Sequence, residues 1–184
     1  MGKKVHIVEL MDRLLAPVLE KEGSAIAQEV FTKQGAVIHT TVAAQEILDG
    51  KNKKVRAVKL SNGEEIPADL VVVAVGVRPN TELVKGTNIA INKGILVDEH
   101  METNLKGIYA AGDAAEGLDM TVNIRRPILT WSNGSAQGKI AGANMAGKKT
   151  EFQGGLAQNT IKHFDVSFAS AGLHTPPEGQ EYKI

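Results

Sequence analysis

The apolar positions of this chain change period several times, and the changes mark its elements. Val5, Ile7 and Val8 make a near-continuous, β-branched run within residues 4–9, which predicts a strand covered on both faces. Residues 10–17 read as a loop, with Leu14, Leu15 and Val18 able to cover apolar surface. From about residue 19 to residue 34 the period becomes helical. Leu19, Ile26 and Val30 share one face, Glu20, Lys21, Glu29 and Lys33 the solvated one, and Gly35 supplies a stop. Residues 36–41 form a strand around Val37 and Ile38, which residues 44–48 extend. Turns at residues 49–52 and at Ser61-Asn62-Gly63 set off residues 55–60 and Glu65-Ile66-Pro67, so a β-meander is expected. Residues 70–75 (Leu-Val-Val-Val-Ala-Val) are apolar throughout and predict a central strand buried on both faces, ending at Gly76 and followed by Val77-Arg78-Pro79-Asn80.

The second half is sparser. Residues 81–92 connect, residues 94–98 suggest a short strand, and Ile108, Tyr109 and Ala110 read as a short buried strand ending in Ala111-Gly112-Asp113. The carboxyl ends of strands are where open α/β sheets bind ligands, and glycine there lets backbone approach a ligand. Residues 116–127 read as a loop, with Arg125-Arg126 as surface. Residues 130–146 predict a helix in which Gly134, Gly138, Gly142 and Ala146 recur at spacing four. Each helical glycine costs about 1 kcal/mol relative to alanine, so several on one face predict that something approaches the backbone closely. Residues 147–151 are a polar linker. These elements add up to an α/β chain with parallel strands plus a β-meander.

Composition narrows the function classes. Lys+Arg and Asp+Glu balance at 21 each, which gives no field for nucleic acid or an anionic membrane. No apolar run approaches the roughly 20 residues of a membrane helix, and Asn133, Ser135, Gln137, Lys139 and Asn144 exclude one in the glycine-rich segment. Residues 1–4 lack the apolar core of a signal peptide, so a cytoplasmic location is the expectation. With no cysteine, the chain contains no thiol nucleophile, disulfide or thiolate metal ligand.

Few residues carry candidate chemistry. Glu9 stands where a dinucleotide-binding βαβ unit places an acidic residue on the adenosine ribose, about 20 residues after a Gly-rich turn. Counting back passes the first residue, and no G-x-G-x-x-G occurs. Either Glu9 is an ordinary strand-end carboxylate, or the chain starts after the first strand, phosphate loop and helix of a nucleotide domain. Gly76 either closes a strand before a Pro-containing turn or lies against a ligand. Asp113 either caps a turn or meets a ligand hydroxyl. His163 and His174 lie in no matching motif and read as ordinary histidines; no metal-ligand spacing and no Ser/His/Asp arrangement stands out.

The run from Thr103 to Ala114, T-x-x-x-G-I-Y-A-A-G-D-A, resembles the second FAD-contact motif of the flavin-dependent pyridine nucleotide-disulfide oxidoreductases, the group of NADH oxidase, NADH peroxidase, coenzyme A-disulfide reductase and NADH:rubredoxin reductases. Residues 69–81, D-L-V-V-V-A-V-G-V-R-P-N-T, resemble the strand leaving that family's NAD domain, and Asn133, Gln137-Gly138-Lys139 and Asn144 align with its flavin-facing helix. Residues 154–173 resemble the opening of its interface domain.

The resemblance implies partial Rossmann-like dinucleotide-binding folds followed by the start of an α+β interface domain. Residues 1–78 would belong to the NAD(P) domain, 79–148 to the FAD domain and 149–184 to the dimerisation domain, in a chain truncated at both ends. It implies FAD and NAD(H) as the parent's cofactors and a homo-oligomer. Gly76 would lie against the nicotinamide dinucleotide, Asp113 beside Gly112 would bind a ribityl hydroxyl, Leu129 would face the nicotinamide side, and Thr130 and Trp131 would sit by the flavin, where Trp131 departs from the expected small residue. No catalytic side chain and no metal ligand is assigned. Lacking both phosphate cradles, the isolated chain is expected to be catalytically inactive; a remnant that self-associates without cofactor is the alternative.

Overall fold

The structure is a computed structural model and describes residues 2–172. Within that range the chain forms two compact units, residues 2–75 with 161–168, and residues 76–160 with 169–172.

The first unit begins with β1 (Val5–Val8), passes through α1 (Lys21–Lys33) and returns to β2 (Ala36–His39), which pairs parallel to β1 with Val5 opposite Ala36 and Val8 opposite His39. This strand–helix–strand crossover is the smallest unit of a parallel sheet. It is more open than its sequence predicts: Val5 is exposed and the rest of β1 half-buried. The helix buries Ser24 and Ala27, not Ile26, which faces solvent. A polar contact explains the choice, because the Ser24 hydroxyl donates to the Leu14 carbonyl and Gln28 Oε1 accepts the Leu14 amide at 3.2 Å. Gly35 stops the helix at φ +87°, a conformation side chains resist.

Residues 44–49 do not extend β2. They form β3 (Ala44–Asp49), which pairs antiparallel with β4 (Val55–Leu60), and β4 with β5 (Glu65–Pro67). Val58, Leu60 and Ile66 form the core of this meander, with Val8, Val42, Ala68 and Val71 against it.

The largest departure from expectation lies at residues 70–75. No strand pairs with them among the described residues, and the side chains are open, with Leu70 79%, Val72 77% and Val75 91% exposed. An all-apolar strand is buried only by neighbours on both edges and cover on both faces, and the described residues supply neither; Val71 alone packs on the meander core.

The second unit is built around β6 (Ile95–Leu96), β7 (Ala115–Asp119), β8 (Ile124–Arg126) and α2 (Trp131–Met145). β6 and β7 are parallel, and β7 and β8 antiparallel. Residues 116–127 are therefore a hairpin rather than a loop. Arg126 donates to the fully buried Asp119 at 2.6 Å from Nε, and Arg125 reaches the Val97 carbonyl at 2.7 Å, so this arginine pair is structural. Ile95, Val97, Met101, Ala115, Ala141 and Phe152 form the core. Residues 108–110 are not a strand of the sheet. They are one arm of a tight loop in which Ala110 N–H bonds to Met101, Thr103 N–H bonds to Ile108, and Gly107 turns at φ +81°; Ile108 is exposed. β9 (Gln158–His163) and β10 (Val166–Ala171) form a hairpin. His174 and Leu173 lie outside the described residues.

Asp119 provides a test. Burial pushes its carboxyl up, but the Thr121 amide at 2.8 Å and the Arg126 guanidinium more than offset this and hold it below the ordinary aspartate value of 3.8. The unfolded chain therefore takes the proton first as pH falls. The stabilisation is present above that ordinary value and is lost as pH falls through the folded one. Arg126 keeps part of its surface in water, which discounts the pair relative to a fully buried one. We expect Asp119→Asn to cost about 2 kcal/mol at neutral pH and to flatten the acid limb of stability below about pH 4; denaturant melts across pH check both.

Candidate functional site

The sequence-predicted residues fall in both units, and each group stands by itself. In the first unit Glu9 follows the last residue of β1, at the carboxyl end of a parallel strand pair. Its backbone N–H bonds to the His39 carbonyl at 2.8 Å, so β2 holds it in line. One carboxylate oxygen accepts the Met11 amide at 2.8 Å, which folds the chain into a turn. The group is half-buried. Glu9 thus closes a local turn through Oε1, as an ordinary strand-end carboxylate does.

In the second unit, Gly76 adopts φ +96° and a Cβ built there meets nothing within 4 Å. It lies in the open apolar segment rather than at the end of a buried strand. Gly112 begins a single 3-10 turn (Gly112–Ala114) at φ +80°, again with open space where a Cβ would stand, and Asp113 beside it is exposed.

What fixes this turn is α2. The Gly112 N–H donates to Gln137 Oε1 at 2.8 Å, and Gln137 is fully buried. One turn earlier on the same helix, a Cβ on Gly134 would stand 3.3 Å from the Gly112 Cα, backbone against backbone. Close approach was the expectation for the whole glycine stripe, and the described residues bring it about at Gly134 only. Gly138 and Gly142 meet nothing within 4 Å. The buried line of α2 is Asn133, Gln137 and Ala141. Asn133 Nδ2 donates to the Ile128 carbonyl at 3.0 Å, and its Oδ1 seats against Gly155, while Gln137 Nε2 seats against Gly117.

Thr130 caps α2: its side chain accepts the Asn133 amide at 3.4 Å. Leu129, Thr130, Trp131 and Ser132 line one side of an open cavity of about 530 Å³, and Gln158, Asn159 and Thr160 line the other. The indole of Trp131 is 93% exposed, so it neither fills a core nor blocks the turn at Gly112. The first amides of a helix have no intrahelical partner and carry its positive dipole end, so this end of α2 offers donors, and Gly134 in its first turns lies against the Gly112 backbone.

Sequence reasoning missed Glu116, which it assigned to a loop. Its carboxylate is buried, accepting the Gly94 amide at 2.6 Å and Asn92 Nδ2 at 3.4 Å. A Cβ on Gly94 would stand 2.8 Å from the Ala114 carbonyl, so this glycine is required by close packing. The available signal was Gly94 two residues after Asn92, just before a strand. Among the described residues no group of three or more metal-ligating side chains converges, and no helix is long and apolar enough to cross a membrane.

A parallel strand–helix–strand crossover with a carboxylate at its rim belongs to the α/β class whose open sheets bind ligands at their strands' carboxyl ends. The family model described as pyridine nucleotide-disulphide oxidoreductase matches residues 1–138. The chain is 32% identical over 177 residues to the NAD(P)H sulfur oxidoreductase (CoA-dependent) of Pyrococcus furiosus, covering 94% of itself and 38% of that protein. It also superimposes on the NAD-dependent persulfide reductase of A. fulgidus, with 31% identity and TM-score 0.86 over 92% of this chain and 31% of that one. An FAD-dependent pyridine nucleotide-disulphide oxidoreductase from Desulfovibrio vulgaris matches at 29% identity and TM-score 0.87, over 94% and 43%. The chain belongs to the pyridine nucleotide-disulphide oxidoreductase family, and it spans well under half the length of these relatives.

Two positions of the glycine stripe give opposite expectations. Gly138→Ala is expected to raise stability by about 0.5–1 kcal/mol, because it gains helix propensity in open space. Gly134→Ala is expected to lose at least that gain, because its methyl presses on Gly112. Thermal melts of the two variants side by side check the contrast.

Proposed function

We propose that this chain forms part of an FAD-dependent NAD(P)H oxidoreductase, contributing to both cofactor-binding regions. The single observation that carries the reading is the Gly112-Asp113 turn, open at Gly112, exposed at Asp113 and tied by Gln137 to the helix that starts at Trp131.

When bound, the flavin supplies two-electron acceptance from a reduced nicotinamide. The chain's own residues bind and orient. Asp113 would accept a hydrogen bond from a ribityl hydroxyl, and the open face of Gly112 would admit the cofactor against bare backbone. The free amides at the start of α2, next to Thr130 and Trp131, favour negative charge on the ring, and Leu129 faces the nicotinamide side. In the first unit Glu9 would take adenosine ribose hydroxyls, and its charge opposes a 2′-phosphate, which favours NADH over NADPH; Gly76, in the second unit, would admit a dinucleotide against its bare backbone. Residues 1–78, 79–148 and 149–184 then correspond to parts of the NAD(P), FAD and dimerisation domains, in a cytoplasmic homo-oligomer. The acceptor that a bound flavin would serve is oxygen, peroxide, a disulfide or a protein carrier.

The 184-residue polypeptide contains no Gly-rich phosphate turn and no cysteine, and is expected to oxidise no NADH. On titration with FAD, NMR shifts are expected to cluster at residues 112–113 and 130–132 and to vanish in Asp113→Ala. Shifts that avoid these residues would overturn the flavin reading, and steady NADH oxidation would overturn the expected inactivity.

One observation supports self-association as a second reading: the apolar side chains of Leu70, Val72, Val73, Val75 and Val77 stand in solvent. Contiguous apolar surface of this kind marks an interaction site. Sedimentation velocity is expected to show concentration-dependent dimers that Val73→Lys with Val75→Lys abolishes; a monomer at all concentrations removes this reading.

A further inference from the structure

We propose that His6 and His39 share a single proton across the β1–β2 pair, and that loading a second proton loosens the strand end that holds Glu9. The nucleotide consequence rests on the role of Glu9 proposed above; the proton sharing does not.

The two imidazoles sit on neighbouring parallel strands. His6 Nδ1 lies 3.0 Å from His39 Nε2, and the rings stack with centroids 5.3 Å apart and planes 22° from parallel. A nitrogen pair at that distance holds one hydrogen: one ring donates, the other accepts. If His39 accepts at Nε2, its own proton stands on Nδ1, which faces the Glu64 carboxylate at 3.8 Å. The run His6, His39, Glu64 is thus a polarised chain of three titratable groups.

One added proton leaves a hydrogen bond between the rings. A second puts an N–H on both facing nitrogens at 3.0 Å, and two positive rings against each other. The groups that face His6 set the balance. Lys4 just before β1 and His39 on β2 oppose its charge, Glu64 from the turn before β5 favours it, and partial burial opposes it first of all. The net effect holds His6 below the usual histidine value of 6.5.

The sign follows. In the unfolded chain an imidazole charges near the usual value, while in the fold the nitrogen pair 3.0 Å apart and its neighbours hold His6 below it. Below that value the unfolded state binds more protons, so stability is full above it and declines as pH falls. The decline acts on the strand pair itself, and the His39 carbonyl is the acceptor of the Glu9 N–H at 2.8 Å. Proton loading at the pair therefore reaches the rim residue through one backbone hydrogen bond.

The test uses the full 184-residue chain between about pH 5 and pH 8. Imidazole NMR titration of the wild type is expected to show two separated, coupled steps. Denaturant melts are expected to show the folded-to-unfolded ratio falling up to about tenfold per pH unit below the usual histidine value. His6→Asn, which keeps a polar atom but does not titrate, flattens that slope, and Glu9 amide protection falls with acid in the wild type and not in the variant. Two independent titrations in the wild type, or an unchanged slope in His6→Asn, would overturn the proposal. NADH affinity measured alongside is expected to weaken with acid in the wild type only. A persisting stability slope with no NADH binding at any pH would overturn the role of Glu9 and leave the shared proton standing.

Discussion

Gln137 buries a primary amide with no access to water, and the second unit satisfies its oxygen while its Nε2 finds no hydrogen-bond partner among the described residues. Leaving a buried polar group unpaired costs about 1–3 kcal/mol, so its Oε1 must find a donor. It finds the Gly112 N–H, an amide left free by the 3-10 turn that follows. That bond is short only if α2 lies almost on the backbone of residues 112–117. Gly134 and Gly117 provide the room, since a Cβ at either would press on Gly112 Cα or on Gln137 itself. One hydrogen bond thus dictates glycine at two positions, draws the helix N-terminus up to Asp113, and makes the turn and the helix one piece.

The same device recurs at smaller scale: a carboxylate accepts a backbone amide a few residues away, or across one strand. Glu9 holds Met11, Asp98 holds His100 and Glu102, Glu102 holds Gly107, Glu116 holds Gly94, and Asp119 holds Thr121. Strands of two to six residues leave many amides outside ladders, and such amides must be satisfied somewhere. The acidic residues of this chain serve its loops first. A functional role for any one of them therefore has to come from the oxygen left over, which is the situation of Glu9, or from a carboxylate outside these turns, which is that of Asp113.

Elements with a strong local signal were legible in the sequence. The meander is written in Asp49-Gly50 and Asn62-Gly63, the α1 stop in Gly35, and α2 in Thr130 followed by a run without proline. The failures share one cause. Residues 116–127 read as loop because β7 carries Glu116, which takes the distant Gly94 amide, Gly117, which leaves room for the Gln137 side chain, and Asp119, which pairs with Arg126; none of these neighbours is visible locally. Ile108-Tyr109-Ala110 has strand composition, but its partner is Met101–Thr103 in a tight loop. In α1, Ile26 out-scores Ser24 in apolar character, yet Ser24 is inside because the Leu14 carbonyl needs a donor. Of the candidate site, the positions Gly112 and Asp113 were legible, but what holds them was not. Asn133 and Gln137 at helical spacing signal a polar face, and only the fold reveals that this face is the buried one.

Residues 70–77 are shaped by what surrounds them as much as by what they are. Composition sets what a segment can become, and neighbours set what it is. Six successive apolar residues encode a strand for the middle of a parallel sheet, and here Val71 alone reaches a core. Burying a valine fully is worth about 1.5–3 kcal/mol, so a partner offering a strand edge and two apolar faces would gain several times that from this segment. Gly76 sits at its end with bare backbone at φ +96°. Whatever covers the valines brings its own atoms to that glycine, so its use as a ligand contact and the covering of this segment stand or fall together.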